Sequence, residues 1–412
     1  MRKAPSNAAR VVVLLPTRDA GWAMQAAEPR DGLIEGGRRT MHELAVAIAC
    51  TGRGVEVRGG MSLPLLDELS EAAGVRVELP SRPRHPDAAD TVIVGEGIDD
   101  PRIYARLALS PARTVLMVLG PLGMFGWPFV EDLWSRPDYD SVDPASLSRA
   151  EHFAGAAALG FELWTHTPAF QRIAEASGER CELIGRAEPR PFPDPAITRD
   201  IDVLMLARSH WPKASARVEA ALSSAGVRVT TLPTVGRADV LEALGRARVF
   251  VHPGRAEAKS RVGAEARAMG SVPVVLRSNP FGDGADEASG VVPVGSVDEM
   301  AAAVTDLLAA PERLESLSAR GMETARRESA WAPYVERVAK ALEHPAANGA
   351  ARAARAGIGT ALRAERDRLE QELAAAHSDL ARHRAWLEAT NGSLSWRLTA
   401  PLRDVKRRAR RR

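Results

Sequence analysis

The arrangement of short apolar segments along the chain constrains its fold more than any other feature of the sequence. These segments are rich in valine and leucine, and they alternate with alanine-rich segments of helical character. Strands that are apolar on both faces are typical of parallel sheets covered by helices on both sides. The pattern therefore predicts an α/β protein. The predicted strands lie at residues 10–16, 54–59, 91–97, 113–120, 161–166, 200–208, 227–233, 248–254, 272–278 and 290–295.

A segment rich in proline and charged residues, GRAEPRPFPDPAITRD at 185–200, separates two series of predicted strands. We therefore predict two tandem Rossmann-like, doubly wound domains, residues 1–187 and 200–343, joined by a linker at 188–199. Ligands of doubly wound sheets bind beyond the carboxyl ends of the strands. The cleft between the two domains is therefore the predicted site.

The chain beyond residue 343 changes in character and predicts a C-terminal helical extension. A small-residue linker at 344–357 precedes leucines at heptad positions. These leucines predict a helix over 358–391, which Asn391 and Gly392 end. Such a helix pairs with a second copy of the chain or packs alone on the body, and the sequence leaves both arrangements open.

The last segment, residues 393–412, places apolar side chains on one helical face among many basic ones. Residues 395–412 carry a formal charge of +7, which leaves −5 on the rest of the chain, so the basic character belongs to this tail. A segment of this kind suits an anionic membrane surface, with Trp396 as an anchor. A disordered or RNA-binding tail is the alternative, and we expect no nucleic-acid partner.

The composition favours a reduced, cytoplasmic setting. Two cysteines, Cys50 and Cys181, are too few for a disulfide framework, and their spacing fits no metal site. The N-terminal apolar run is shorter than the core of a secretory signal. The longest uncharged run, residues 114–130, is interrupted by glycine and proline and is too short to span a bilayer.

The stretch VFVHPGRAEAKSRVGAEARAMGSVPVVL, residues 249–276, carries the most chemistry. It predicts a strand, a loop, a helix from about residue 261 and a second strand. A helix N-terminus binds phosphate through its free N–H groups, and Lys259, Ser260 and Arg261 add donors and charge there. Glu265, one turn into the helix, suits vicinal hydroxyls, and Glu257 is expected to point into the cleft. The layout fits a diphosphate flanked by two hydroxyl-rich groups.

These residues resemble the donor half of GT-B glycosyltransferases of the retaining family-4 type, also called glycosyl transferases group 1. That family has a Glu, seven residues, then Glu-Ala-x-Ala-x-Gly and a Pro-Val-Val strand, which here begin at Glu257 and Glu265. Its Arg, four residues and Lys appear as Arg208 and Lys213 in MLARSHWPK. In the first domain, EGGRRTMHELAVAIACTGRGVEVRG is similar to the family's glycine-pair loop, helix and second strand. The resemblance covers residues 10–340 and is strongest over 200–331.

The resemblance implies a catalytic and donor-binding set. Arg208 and Lys213 would bind the donor's diphosphate and stabilise the negative charge on the leaving nucleotide. Glu257 would contact the transferred sugar, and Glu265 would bind the hydroxyls of the nucleotide's ribose.

The resemblance also implies contacts nearer the acceptor. Gly36 and Gly37 would lie on the acceptor and diphosphate side of the cleft. Ser260 would help to bind the donor. The family has Gly-Phe-Gly after the first Glu, whereas this chain has Ala258, Lys259 and Ser260. The loop therefore runs differently here, or Lys259 supplies by charge what backbone amides supply in the family.

The activity that the resemblance implies is glycosyl transfer from a nucleotide-sugar donor to a saccharide or lipid-linked acceptor, with retention and without metal or cofactor. The tail segment SWRLTAPLR resembles one that recurs in bacterial surface-polysaccharide proteins, which implies a role in cell-surface polysaccharide or glycoconjugate synthesis. Two alternatives stay open. One is a sugar-nucleotide epimerase of the same fold. The other is a catalytically silent GT-B scaffold that acts through its helix and tail.

Three further features have ordinary structural explanations. The Asp-Tyr-Asp at 138–140 matches a metal motif of another glycosyltransferase fold but lacks the strand that precedes it, so a solvated loop is the better interpretation. His166, His210 and His252 are at least as compatible with structural hydrogen bonds as with catalysis. The apolar loop at 120–129 is either an acceptor or lipid contact or buried packing, and we favour burial.

Overall fold

The computed structural model describes residues 10–15, 36–59, 63–77, 79, 86–95, 101–119, 150–195, 198–206, 215–233, 235–254, 260–277, 285–344, 349–392, 399, 401 and 403. Internal contacts divide the chain into two compact units, Met1–Ala353 and Ala354–Arg412. The first unit contains two parallel sheets, and the second contains most of a long helix.

The first sheet has six parallel strands in the order β2-β1-β3-β4-β5-β6. They are β1 Arg10–Leu15, β2 Gly54–Gly59, β3 Thr91–Gly95, β4 Arg113–Val118, β5 Glu162–Thr165 and β6 Cys181–Leu183. The helices of this half are α1 Gly36–Cys50, α2 Leu63–Ala73, α3 Pro101–Ala108, α4 Ala150–Ala158 and α5 Pro168–Ala176. In β1, Val11 and Val13 enter one buried cluster while Val12 and Leu14 enter another. Because successive side chains of a strand point to opposite faces, the unbroken apolar run fills a core on each face.

The second sheet has five parallel strands in the order β11-β10-β9-β7-β8. They are β7 Ile201–Leu206, β8 Val229–Leu232, β9 Ala247–His252, β10 Val272–Leu276 and β11 Val292–Val294. The helices are α6 Ser215–Ser224, α7 Arg237–Arg246, α8 Arg261–Ala268, α9 Val297–Ala309 and α10 Pro311–Glu328, with a short 3-10 turn at Glu287–Ser289. Val249 and Val251 of β9 pack on one face and Phe250 on the other.

Helix α11, Trp331–Glu343, follows the second sheet in the chain but packs on the first. Its buried side chains Tyr334, Val338 and Leu342 join the cluster formed by α1 and β1. Arg113 of β4 donates from Nη1 to the carbonyl of Leu342 at 2.7 Å. The chain therefore crosses between the two halves twice, once after β6 and once before α11.

Helix α12, Gly349–Gly392, begins inside the segment that was predicted to be a linker. Alanine and arginine favour helix, and here their preference outweighs the cost of the glycines. The helix includes the whole of the predicted segment 358–391. No helix among the described residues is long and apolar enough to cross a membrane.

Strand β6 is absent from the sequence-based prediction. It has only three residues and includes the polar Glu182, so it lacks the apolar run that identifies the other strands. It forms because it pairs with β5 at the edge of the sheet. Apart from this strand, the predicted α/β architecture with two parallel sheets and a C-terminal helix is confirmed.

Candidate functional site

The second sheet has a switch point between β7 and β9. Strand β7 has β8 on one side and β9 on the other, so the carboxyl ends of β7, at Leu206, and β9, at His252, are neighbours. Crevices at such points bind ligands in open α/β sheets. Four of the predicted site residues follow these two strand ends in the chain and lie outside the described residues: Arg208, Lys213, Glu257 and Lys259.

Helix α8 begins beside this switch point. Ser260 is its N-cap residue, and its buried Oγ accepts a hydrogen bond from the backbone N–H of Gly263 at 3.2 Å. This capping explains why the helix begins here. Glu265 lies one turn further on and is buried. The structure thus places two predicted donor contacts, Ser260 and Glu265, on one helix end.

Arg261, the first residue of α8, was expected to add a donor for phosphate; in the structure its guanidinium is paired with carboxylates. Its guanidinium forms two parallel hydrogen bonds to Glu43 of α1, both at 2.8 Å. It also donates to Glu188 at 2.7 Å and to the hydroxyl of Thr40 at 3.1 Å. A guanidinium matches a carboxylate with two bonds, and that geometry makes this pair strong and directional. Arg261 therefore joins α8 to α1 and to the segment after β6.

Glu188 connects Arg261 to further buried charges. It accepts from Arg39 of α1 at 3.1 Å and from Arg237, the first residue of α7, at 2.8 Å. Arg237 also donates from Nε to Glu265 at 2.8 Å. Carboxylates and guanidiniums therefore alternate from α8 across the molecule to α1. We call this set the ionic cluster: Arg39, Glu43, Glu188, Arg237, Arg261 and Glu265.

Burial and ion pairing oppose each other inside the ionic cluster. Burial raises the pKa of Glu43 above its usual range, although Arg261 acts against that rise. Burial alone would also raise the pKa of Glu188, but Arg261, Arg237 and Arg39 together lower it. The pKa of Arg261 is raised because the two carboxylates outweigh its burial. Burial therefore outweighs pairing at Glu43, whereas pairing outweighs burial at Glu188 and Arg261.

Arg186 adds a further cation beside the cluster. Burial lowers its pKa to about 10, and repulsion from Arg261 acts in the same direction. Arg186, Glu188, Arg261 and Glu265 line a small cavity of about 30 Å³. A space of this size accommodates ordered water.

Gly36 and Gly37 form the first turn of α1, the helix that carries Thr40 and Glu43. The side chain of Arg261 contacts both, so it links the beginning of α8 to the N-terminal half of α1. A helix N-terminus presents free N–H groups, which favour an anionic ligand. The structure therefore places Ser260 and Glu265 on α8, and Gly36 and Gly37 at the beginning of α1, the helix that Arg261 contacts.

The histidines offer little evidence of catalysis. His252 is buried and stacks on Phe250, with the ring centroids 5.9 Å apart and the planes at 18°. His166 is buried at the end of β5. No group of three potential metal ligands occurs within the described ranges. His210, the Asp-Tyr-Asp at 138–140 and the apolar loop at 120–129 lie outside those ranges.

Most of the ionic cluster could not be identified in the sequence. Glu188 falls in the segment predicted to be an interdomain linker, and it is only 9% exposed. Its partners Arg39 and Arg261 lie 149 and 73 residues away. Arginines and glutamates are common on helix surfaces, so nothing local marks these as buried.

The chain resembles solved structures in fold. No protein-family model matches the sequence, and a search of curated proteins finds no significant match. HepE from Anabaena, solved in complex with UDP and glucose, is 13% identical, and the superposition covers 82% of this chain and all of that chain with a TM-score of 0.54. Sucrose-phosphate synthase from Thermosynechococcus elongatus is 12% identical over 81% of this chain and 98% of that chain, with a TM-score of 0.53.

A glycosyltransferase from Rickettsia africae is 11% identical over 82% of this chain and 100% of that chain, with a TM-score of 0.51. At identities this low the likeness establishes the fold alone. The predicted GT-B fold, two Rossmann-like halves with parallel sheets, is therefore confirmed.

Proposed function

We propose that this protein transfers a sugar from a nucleotide-sugar donor to a saccharide or lipid-linked acceptor. The proposal rests on one observation: Ser260 and Glu265 both lie at the N-terminal end of α8, beside the switch point of a GT-B fold. The solved HepE structures, which share this fold, contain UDP with glucose or UDP-glucose. Ligands of open α/β sheets bind at such switch points.

In this proposal each site residue has a separate role. Arg208 and Lys213 bind the diphosphate and stabilise the leaving nucleotide, and Lys259 adds charge there. Glu265 binds the ribose hydroxyls and Glu257 contacts the transferred sugar. Gly36 and Gly37 present backbone N–H groups toward the diphosphate and acceptor, as helix N-termini do for anions.

We also propose the finer features of the reaction and setting. Transfer proceeds with retention, in the manner of family-4 enzymes, and requires neither metal nor cofactor. The protein works in the cytoplasm in the synthesis of bacterial cell-surface polysaccharide or glycoconjugate. The basic segment 393–412 contacts the inner face of the membrane through its charge and apolar face.

We further infer that α12 pairs with a second copy of the chain. Leu369, Leu373, Leu380 and Leu387 occupy its heptad seam and are each at least 50% exposed. An apolar seam of this kind is typical of coiled coils. Three successive exposed alanines, Ala374–Ala376, provide a test because only the third lies on the seam. In a parallel pair, Ala376→Cys forms an interchain disulfide, whereas Ala375→Cys does not.

The first experiment measures donor binding by thermal unfolding of the purified protein with UDP, GDP, dTDP and their common sugar conjugates. A ligand at 100 times its Kd adds about 2.7 kcal/mol of stability. For domains of 150–250 residues, that is a rise in Tm of roughly 5–10 °C. We expect a rise with one nucleotide family, lost in Lys213→Ala and Glu265→Ala but kept in Glu287→Ala, which removes an exposed carboxylate. A folded protein that responds to no nucleotide would instead support a silent scaffold.

Turnover separates transfer from binding. With the donor identified, release of nucleoside diphosphate is measured with candidate acceptors, with and without EDTA. NMR of the product gives the anomeric configuration. Loss of turnover in EDTA, or an inverted anomer, would contradict the metal independence or the retention proposed for this protein.

A further inference from the structure

Arg237 lies between the carboxylate proposed to bind ribose and the segment that joins the two halves of the molecule. Its Nε donates to Oε1 of Glu265 at 2.8 Å, and its Nη2 donates to Glu188 at 2.8 Å. The guanidinium carbon also lies 5.8 Å from the ring centroid of Phe192, within cation–π distance. Arg237 thus has three partners on two different segments.

This arrangement fixes the orientation of Glu265. The guanidinium is planar and cannot rotate to another partner without breaking its bond to Glu188. Glu188 is itself fixed by Arg39 and Arg261, through contacts of 3.1 and 2.7 Å. The described hydrogen bond to Glu265 uses one carboxylate oxygen, Oε1. Because Glu265 is also buried, its carboxylate has little freedom to turn once Oε1 is bonded.

We propose that Arg237 is a positioning residue for recognition of the ribose. By bonding Oε1 of Glu265, it aims Oε2 at the 2′- and 3′-hydroxyls of the nucleotide. The inference rests on the proposed function, because it assigns a role to Arg237 through the ribose contact of Glu265. Pre-organised polar groups discriminate strongly against an analogue that lacks the matching hydroxyl, since the protein group is then left unpaired.

The test compares a ribonucleotide with its 2′-deoxy form by isothermal titration calorimetry. The probes are UDP and 2′-deoxy-UDP, with GDP and 2′-deoxy-GDP as a second pair. A hydrogen bond to a charged group corresponds to a difference in affinity of about tenfold or more. We expect the wild type to bind the ribose form at least tenfold more tightly. In Arg237→Met, that ratio falls below about threefold, since the carboxylate is no longer oriented.

Two variants control for general damage to the fold. Arg246→Met removes the last arginine of the same helix, which pairs with Asp200 on the exposed surface, and it should keep the wild-type ratio. Arg237→Lys keeps a positive charge beside Glu265 but cannot bond Glu188 and Glu265 with one planar group, so we expect an intermediate ratio. If Arg237→Met does not fold, the test rests on Arg237→Lys. A ratio of ribose to 2′-deoxy affinity in that variant equal to the wild-type ratio overturns the inference.

The outcomes separate this inference from the function on which it rests. If the wild type discriminates and Arg237→Met discriminates equally, nucleotide binding stands and the positioning role is refuted. If the wild type binds both forms equally, Glu265 does not recognise the 2′-hydroxyl, and the inference fails although the donor site stands. If neither nucleotide pair binds, the proposed function fails and the inference fails with it.

Discussion

Removal of Arg261 tests how strongly the ionic cluster stabilises the fold. Its guanidinium bonds to Glu43, which is fully buried, and to Glu188. Arg261→Met retains an apolar side chain but leaves Glu43 with the longer 3.2 Å contact to Arg39. Removing one partner of a buried ion pair costs about 3–5 kcal/mol, because the other charge stays buried. At about 2–4 °C per kcal/mol, the melting temperature should fall by roughly 6–20 °C.

A double-mutant cycle shows whether the loss comes from the ion pair itself. Urea unfolding, followed by circular dichroism, gives the free energy of unfolding for Arg261→Met, Glu43→Met and the double variant. Residues in one ion-pair network interact by about 0.5–3 kcal/mol, so the double variant should be more stable than the summed single losses predict.

The exposed pair of Arg246 and Asp200 is the matched control, because it has two hydrogen bonds of similar length but is open to water. We expect no measurable change for Arg246→Met. A loss below about 1 kcal/mol for Arg261→Met, the range of exposed pairs, would refute the argument. Strictly additive losses in the cycle would also refute it.

Three further predictions concern single positions. The pKa of Glu188 is lowered, so its carboxylate stabilises the fold at pH values above its ordinary pKa of 4.5. The loss of stability in Glu188→Gln at pH 7 should therefore shrink as the pH falls below 4.5. A difference in urea unfolding that stays constant with pH would contradict this prediction. Gly290→Ala should lower the free energy of unfolding by about 2 kcal/mol more than Gly226→Ala does. Both glycines have positive φ, but a Cβ at Gly290 would lie 2.4 Å from the backbone of Gly321, whereas Gly226 faces open space. Equal melting temperatures for the two variants would refute this prediction. The buried hydroxyl of Tyr334 has no hydrogen-bond partner within the described ranges, so Tyr334→Phe should leave the unfolding free energy unchanged or raise it by up to about 1 kcal/mol, and a clear loss would reveal a partner.

The sequence predicts the sheets well because their signal is local. Each central strand is an unbroken apolar run, and burial on both faces requires that composition. Strand β6 depends instead on pairing with β5, and helix α11 joins the first sheet through contacts far away in the chain. Neither feature leaves a pattern in its own segment.

The residues of the candidate site likewise fall into those that the sequence predicts and those that it does not. Ser260 and Glu265 belong to a motif with fixed spacing, so the sequence places them on the beginning of α8, where the structure has them. The ionic cluster joins residues from four separate segments, and whether a glutamate such as Glu188 is buried depends on all of them. The pairing of Arg261 with Glu43 was not predicted for this reason, because spacing along one helix does not reveal a carboxylate on another.

The return of α11 to the first sheet also affects how the protein assembles during synthesis. Tyr334, Val338 and Leu342 complete a core whose other members begin at Val11. Domains generally fold as units, N-terminal first, as the chain emerges from the ribosome. Here the first half reaches its final packing only after the last helix of the second half has been made. Until then, apolar surface on α1 stays uncovered, and an arrested or truncated chain would be prone to aggregate.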